Sequence, residues 1–564
     1  MLSYKSVNPI SVNFQGGLSM EKPKRIEDCV LIVGAGPSGL MIAHELARFN
    51  IPVRLIEKEL EASHFTRALA VQIRTLEIFH ALGMLTSLKE KSEALSAFEI
   101  YINNQAPLEI FPVPTSSAYL RPLAIDQSHT EEVLKNRVKQ LGVKLERGVE
   151  LIGLTQTNSG VFAKLKSKSG EENAGPFAYI IGADGAHSFV RKNMPVSFLG
   201  STYDDAFILA DVQCDEENHE GIFRLFFKNK DFLAMIPLHG RGNYRLISVR
   251  RDERTKLGPE PNILEFQKLI AKLVPFSFNI IISRWVSRFF VQCRSAEAYA
   301  HERLFLIGDA AHIHSPAGGQ GMNTGLQDAF NLGFKLALVL KNLSPESLLL
   351  TYEQERKPVG DFLIKNTDRL FKFMIRGSFG ARMLRRFVLP YFARCEKMRA
   401  KIFRIGSQTA INYKHGALCL DHQHQEFFEV KIGARMINWP LINNHVHKSD
   451  IHTIAATNFF TCFIFLPASY DPKTLKKILK VSHTFADKYP NFLSVVMVFM
   501  NDFDAEKIMA EEDYSVLADP RLVPSFSEPF YIITRSDAHV FCTSNFADFE
   551  HADQALGHWY LRKA

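Results

Sequence analysis

GDAAHIHSPAGGQGMNTG, residues Gly308–Gly325, is the stretch around which the 564-residue chain is organised. A short apolar run of strand type, Leu304–Ile307 (LFLI), leads into it. Leu326–Leu340 (LQDAFNLGFKLALVL) follows with helical spacing, and Leu326, Phe330, Leu332, Leu336 and Leu340 mark its buried face. The reading is strand, small-residue loop, helix. The five glycines let the backbone turn and approach a ligand without Cβ clashes. A helix start leaves free N–H groups and the positive dipole end facing out of the loop, which suits an anion or a developing negative charge. Asp309 stands where the strand ends, in reach of a sugar-like hydroxyl. The alternative is a strand–helix joint whose glycines serve packing alone.

A second segment near the N-terminus weakens that alternative. Cys29–Val33 (CVLIV) is an apolar run of strand length, GAGPSG follows at Gly34–Gly39, and Leu40–Phe49 has helical spacing. After Pro52, Val53–Ile56 reads as a second strand ending at Glu57. This is a βαβ unit with a glycine-rich first turn. Gly34 allows the turn, Gly36 the approach to a pyrophosphate, and Gly39 close helix–strand packing. Glu57 lies 18 positions after Gly39, where a carboxylate accepts from ribose hydroxyls. An acid there repels a 2′-phosphate, so FAD or NAD is favoured over NADP as the bound dinucleotide. A third strand, Tyr179–Ile181, runs into GADGAHS at Gly182–Ser188, which presents Asp184 beside free N–H groups, with Arg191 just beyond.

Between and after these segments the chain changes character. Residues 97–118 and Phe207–Arg250 alternate as strands, the latter an antiparallel meander forming a sheet of its own. Residues 361–407 are helical and strongly basic; they read as a helix pair with solvated faces, with a second subunit of a homodimer or an anionic surface as the alternative contact. From 408 the order of elements suggests a small α/β domain. The expected class is therefore α/β. Residues 1–27 form a tail, 28–195 and 285–360 a discontinuous Rossmann-like domain, and 196–284, with strands from about 97–118, an inserted β-sheet domain that takes the substrate.

Composition limits the options. Hydrophobic residues make up 46% and charged residues 23%, an ordinary globular balance. No apolar run is long enough for a transmembrane segment, and the first 27 residues lack the apolar core of a secretory signal. A net charge of +7 is mild for this length and gives no reason to expect nucleic acid. Seven scattered cysteines without CxxC point to a reducing cytoplasm. His312 and His314 are too isolated from further ligands for a metal site.

The three glycine segments, in this order and spacing, resemble the single-component FAD-dependent aromatic hydroxylases, the family of para-hydroxybenzoate hydroxylase and phenol hydroxylase. GAGPSGL is similar to that family's FAD fingerprint, GADGAHS to its Asp-Gly motif, and GDAAHIHSPAGGQGMNTGLQD to its Gly-Asp motif. The resemblance covers roughly residues 28–360. Residues 408–564 more weakly resemble the thioredoxin-like extension of phenol hydroxylase, without its CxxC. The resemblance implies a flavoprotein monooxygenase that uses NADPH or NADH and O2 to hydroxylate a small aromatic substrate through a flavin C4a-hydroperoxide. It implies FAD contacts from Gly34, Gly36, Ser38, Gly39, Glu57, Arg67, Gln127, Asp184, Asp309, Gly319, Gly321, Met322 and Asn323. Arg191 would serve NAD(P)H access, and Pro316 would lie against the reactive edge of the isoalloxazine. His314 is the candidate proton partner on the substrate side, and Tyr203, Phe223, Tyr244 and Arg245 are the candidate substrate contacts.

Rival activities leave marks that are missing. A flavin halogenase would show WxWxIP, but Trp285, Trp439 and Trp559 are isolated. A Baeyer–Villiger enzyme would show a second GxGxxG. A flavin-dependent epoxidase, a ubiquinone-type hydroxylase and a non-catalytic FAD-bound interaction protein remain as alternatives.

Overall fold

The structure is a computed structural model that describes residues 29–62, 70–103, 105–113, 117–215, 221–251, 254, 258–315, 319–375, 394–419, 430–443, 447–500, 515–518 and 526–561. The expected tail 1–27 lies outside them.

Val30–Val33 pairs in parallel with Val53–Glu57 on one side and Tyr179–Gly182 on the other, and Leu304–Leu306 joins the far side of Tyr179–Gly182, again in parallel. Leu145–Arg147 and Ala300–His301 complete a six-stranded sheet. Val30–Val33 and Leu304–Leu306 are buried throughout, which is why both read as unbroken apolar runs. The four central strands share one direction, so all their C-terminal ends open on one edge. Gly34, Glu57, Asp184 and Gly308–Asp309 follow those ends directly. Three motifs far apart in sequence thus become neighbours. The helix Pro37–Arg48, with proline in its first turn, packs against the long helix Gly321–Leu340. Their contact is tight: a Cβ on Gly333 would sit 2.4 Å from Glu45 Cβ.

The expected meander is part of a larger, mixed sheet. Its eight strands run in the order His312–Ile313, Ile280–Ala296, Phe198–Cys214, Asn243–Arg250, Asp231–Pro237, Ile222–Lys228, Ala97–Ile102 and Leu108–Ile110. All pairs are antiparallel except Ile222–Lys228 with Ala97–Ile102. The strand Ile280–Ala296 crosses the expected boundary at 285 and carries this sheet back to the Gly-Asp segment. One face packs Ile208, Met235, Tyr244 and Leu246 under the amphipathic helix Ile263–Leu273. The opposite face gathers Phe207, Leu209, Ile236 and Phe289 with Ala124.

The basic segment is helical from further upstream than expected, with helices Leu350–Ile375 and Glu396–Gly406 among the described residues. Beyond it, a seven-stranded sheet has parallel central strands Ser515–Ala518, Leu493–Phe499 and Phe460–Leu466, with antiparallel Phe530–Arg535 and Val540–Asn545 on one side. The helix Pro472–Lys488 starts where Asp471 accepts from the backbone N–H groups of Lys473 and Thr474.

Two buried ionic clusters bind this C-terminal unit to the first sheet's helices. Glu355 accepts from Arg535 at 2.5 and 3.0 Å and from Lys335 at 2.8 Å, and Arg535 also pairs with Asp537. Glu77 accepts from Arg74 at 3.0 Å and from Arg435 at 2.7 Å. His452 sits beside the second cluster, its Nε2–H donating to Met436 O at 2.7 Å. Burial pushes this imidazole down to about 4, against the attraction of Glu77. The unfolded chain, with an ordinary histidine, binds the extra proton between these two values. Stability is therefore present above pH 6.5 and is lost as pH falls towards 4. His452 alone should remove about 2 kcal/mol between pH 7 and pH 5. Denaturant titrations at both pH values should show a loss of at least that size, and His452→Gln should shrink it.

Candidate active site

The turn after the first strand can be built only from glycine at two points. Gly34 has φ +103°, and a Cβ there would lie 2.3 Å from Ala183 O. A Cβ on Gly39 would lie 1.9 Å from Gly34 O. By contrast, a Cβ on Gly36 would meet no protein atom within 4 Å, so the turn presents bare backbone outward. Glu57 is oriented across this turn: Oε2 accepts from Ala35 N–H at 2.9 Å and Oε1 from Glu59 N–H at 3.0 Å. Ser38 interlocks the first motif with the third, because its Oγ would lie 2.5 Å from a Cβ on Gly308 and 2.3 Å from one on Gly325.

Asp184 caps the short helix behind its turn, Oδ2 accepting from Phe189 N–H at 2.7 Å and Val190 N–H at 3.2 Å. Its Oδ1 is buried and has no hydrogen-bond partner among the described residues. Burial raises this carboxyl above the usual range despite those donors. Asp309 is exposed at the strand end. Bare backbone, an oriented acid, a waiting carboxylate oxygen and an exposed Asp309, all along one sheet edge, fit the adenosine, pyrophosphate and ribityl parts of FAD.

The third motif is fixed from beneath by its own Asp328 together with Arg356 and Tyr413, two residues whose role had no signal in the sequence. Asp328 Oδ2 accepts from His312 Nε2–H at 2.6 Å and from Gly308 N–H at 3.1 Å, and Oδ1 accepts from Arg356 Nε at 2.7 Å. Arg356 also donates to Tyr413 Oη at 2.8 Å and Thr324 O at 3.2 Å. Burial opposes ionisation of Asp328, but the charges of His312 and Arg356 outweigh it and hold the carboxyl below its usual range. Asn323 is buried; its side chain accepts from Gln72 N–H at 2.8 Å and donates to Ala70 O and Gly319 O, so it shapes the loop. Gly319 (φ +59°), Gly321 and Met322 border the opening of the helix. Gln127 starts the helix Gln127–Gln140 and donates to Glu131 at 2.8 Å. His314 Nδ1–H donates to Ser315 O at 2.6 Å, and its Nε2 lies where a Cβ on Gly321 would be only 2.5 Å away. Burial lowers it to about 4, so it is neutral at pH 7 and is a weak base. It enters a different hydrogen bond from His312. Arg67 and Pro316 lie outside the described residues.

Three expectations change. Tyr244 cannot meet a substrate at the flavin side, because it lies on the helix-covered face, edge-on to Phe278 at 5.3 Å. Arg245 lies on the other face but is locked, with Asp211 taking Nε at 2.6 Å and Nη2 at 2.7 Å and Asp126 a further contact at 3.3 Å. Arg191, expected at the NAD(P)H approach, is only 6% exposed. Its guanidinium donates to Ala310 O at 2.7 Å and Ala186 O at 2.8 Å and lies over the Phe198 ring. It ties the second motif to the third. Arg191→Ala should therefore weaken FAD retention and stability together, by about 1–3 kcal/mol, chiefly for the buried Ala310 carbonyl left without its donor; flavin fluorescence titration and thermal melts check this. Tyr203 and Phe223 do line the inner face, joined by Phe98, 5.5 Å from Phe223, and by Trp285.

A family model described as an FAD binding domain matches residues 27–367, which takes in all three motifs and both sheets that carry them. The chain belongs to the FAD-dependent aromatic monooxygenases. Rifampicin monooxygenase of Streptomyces venezuelae is 33% identical to it over 347 residues, 61% of this chain and 71% of that one. The structure of CabE, an aromatic hydroxylase from angucycline biosynthesis, is 25% identical and superposes with a TM-score of 0.71 over 95% of this chain and all of that one. The monooxygenase PieE, solved with FAD and substrate, shares the fold at 20% identity, with a TM-score of 0.74 over 94% of this chain and 99% of that one. The agreement in fold extends through the C-terminal unit. This monooxygenase has no helix among its described residues that is long and apolar enough to cross a membrane.

Proposed function

We propose that this monooxygenase hydroxylates an uncharged, extended phenolic substrate held against the inner face of the eight-stranded sheet. The observation that carries the reading is that face itself. Tyr203, Phe223, Phe98 and Trp285 are half-buried there, an aromatic surface packed on that face's apolar core, with the Phe98 and Phe223 rings tilted 59° to one another. Arg245, a cation on that face, is already taken by Asp211 and Asp126, so the trio offers no positive charge to a substrate carboxylate. The names of the relatives, which act in rifampicin and angucycline chemistry, support a large ring system.

FAD, when bound, supplies the redox and oxygen chemistry, with NADPH or NADH as electron source. The protein's part is placement. Asp309 holds the ribityl chain, Glu57 the adenosine ribose, and the first turn of Gly321–Leu340 offers N–H groups to the pyrimidine edge of the ring system. His314, kept neutral, adds no charge beside that turn. Seven scattered cysteines without a CxxC motif support a cytoplasmic setting. The C-terminal unit is structural in this reading: burial pushes the thiols of Cys419 and Cys542 up to about 12 and raises that of Cys462 well above its usual value, so none is a nucleophile.

The test is a panel of phenols and hydroxylated polycycles, each with and without a carboxylate, incubated with FAD-loaded protein and NADH or NADPH. Uncharged polycycles should stimulate nucleotide oxidation most and yield products heavier by one oxygen atom. Preference for carboxylated substrates would refute the assignment of the inner face.

A further inference from the structure

The N–H groups that open the helix Gly321–Leu340 are assigned above to the flavin ring system, but the same turn has a back, and residues outside the matched family domain hold it. Gln408 is 5% exposed and has φ +61°, in the left-handed region that glycine adopts freely and glutamine does not. Such a conformation persists only where the surroundings over-determine it. Here the side-chain amide does so. Its Nε2 donates to Thr324 Oγ1 at 2.8 Å, and its Oε1 accepts from Gln327 Nε2 at 2.6 Å. Thr324 Oγ1 in turn donates to Gln320 O at 3.0 Å. The donors and acceptors run in one direction, Gln327 to Gln408 to Thr324 to Gln320, and end on the residue that precedes the helix.

Neighbouring residues grip the same loop. Ser407 O accepts from Arg74 N–H at 3.2 Å, and Arg74 follows two residues after Gln72, whose N–H is held by Asn323. Tyr413 accepts from Arg356, which holds Thr324 O. Residues 406–413 thus form a brace behind the turn, and Gln408 is its central contact.

We propose that Gln408 is a positioning residue for the flavin: by fixing Gln320, Thr324 and Gln327 it holds the N–H groups of the first helical turn in the orientation that stabilises negative charge on reduced FAD. Fixed dipoles stabilise charge without reorganising, and that advantage vanishes when their support loosens. Oxidised FAD carries no such charge at its pyrimidine edge. Loss of the brace therefore weakens reduced FAD more than oxidised FAD, and the midpoint potential falls. The inference rests on the assignment of FAD to this site.

Gln408→Met keeps the side chain's length and removes its hydrogen bonds. The dissociation constant of oxidised FAD, from fluorescence quenching, should change little. The two-electron midpoint potential, from anaerobic dye-coupled titration, should fall by about 30 mV, the equivalent of a tenfold preferential loss for reduced FAD. Gln327→Met should lower it similarly, and the double variant should show no more than the larger single effect. Thr324→Val removes the other end of the chain and should lower the potential even if Gln408→Met fails to fold. An unchanged potential in any of these variants that folds and binds FAD, with only thermal stability reduced, would overturn the proposal. A wild-type protein that takes up no FAD would overturn the cofactor assignment along with it.

Discussion

Asp328→Ala gives a protein destabilised by about 3–5 kcal/mol that no longer retains flavin through purification. The carboxylate neutralises Arg356, a side chain with no solvent exposure, and accepts from Gly308 N–H and His312 besides. Its removal leaves a guanidinium buried beside Tyr413 and the backbone of Thr324, with its main counter-charge gone. It also frees the backbone on which Asp309 stands. Stability and cofactor binding should fall together, read by denaturant titration and by the absorbance of bound flavin. Asp328→Leu combined with Arg356→Met separates the two effects. It replaces the ion pair by apolar groups and should recover much of the stability, since a buried pair contributes little beyond an apolar substitute. It should not recover flavin, because Gly308 and His312 still lack their acceptor. The pH dependence also has a definite sign. A carboxyl held below its usual value stabilises above that value and loses its effect only as pH falls through the lowered one. Acidification to pH 5 should therefore spare this pair while it erodes the contribution of His452.

Glu355→Ala should cost a similar amount, about 3–5 kcal/mol, by stranding both Lys335 and Arg535 away from water. Lys335 is held down to about 8 by burial, with Glu355 working against that shift, so losing the acid should drive it to the neutral form. Arg535 has no such escape, although Asp537 still faces it. The C-terminal unit should then loosen from the nucleotide-binding part, and limited proteolysis should cut between them faster than in the wild type. Adding Lys335→Met should return part of the loss. A Glu355→Ala protein with unchanged denaturation midpoint and cleavage pattern would show that the cluster does not carry the docking.

What the sequence disclosed was local. Gly34 betrays itself because the turn requires a left-handed φ, Gly39 because a side chain there would strike Gly34 O within the same turn, and Glu57 because its distance from them is set by one βαβ unit. Asp328 was visible as part of a motif, but Arg356 comes from the next helix and Tyr413 from beyond the basic segment, and no spacing rule connects them. Gln408 is one polar residue in a run of many; only its backbone conformation and partners single it out. The meander shows the limit most clearly. Tyr244 and Arg245 are consecutive on a strand, so they necessarily point to opposite faces, and at most one could meet a substrate. Alternation revealed a half-buried sheet, but not which face the helix Ile263–Leu273 would cover. Tyr203 and Phe223 both lie on the inner face. Phe98 stands on strands expected in this sheet, but its place beside Phe223 follows from a parallel pairing across more than a hundred residues, which no local pattern gives.

The ionic clusters also set an order of events in the cell. Glu355, Lys335 and Arg356 are made well before Tyr413, Arg535 and Asp537, which complete their pairings. While the ribosome is still threading out the last third of the polypeptide, the nucleotide-binding part holds charges that it cannot bury. The loop that receives the flavin therefore sets late. Loading of the cofactor should follow release of the whole chain, and a message cut short after the matched domain should yield a product that neither colours nor survives.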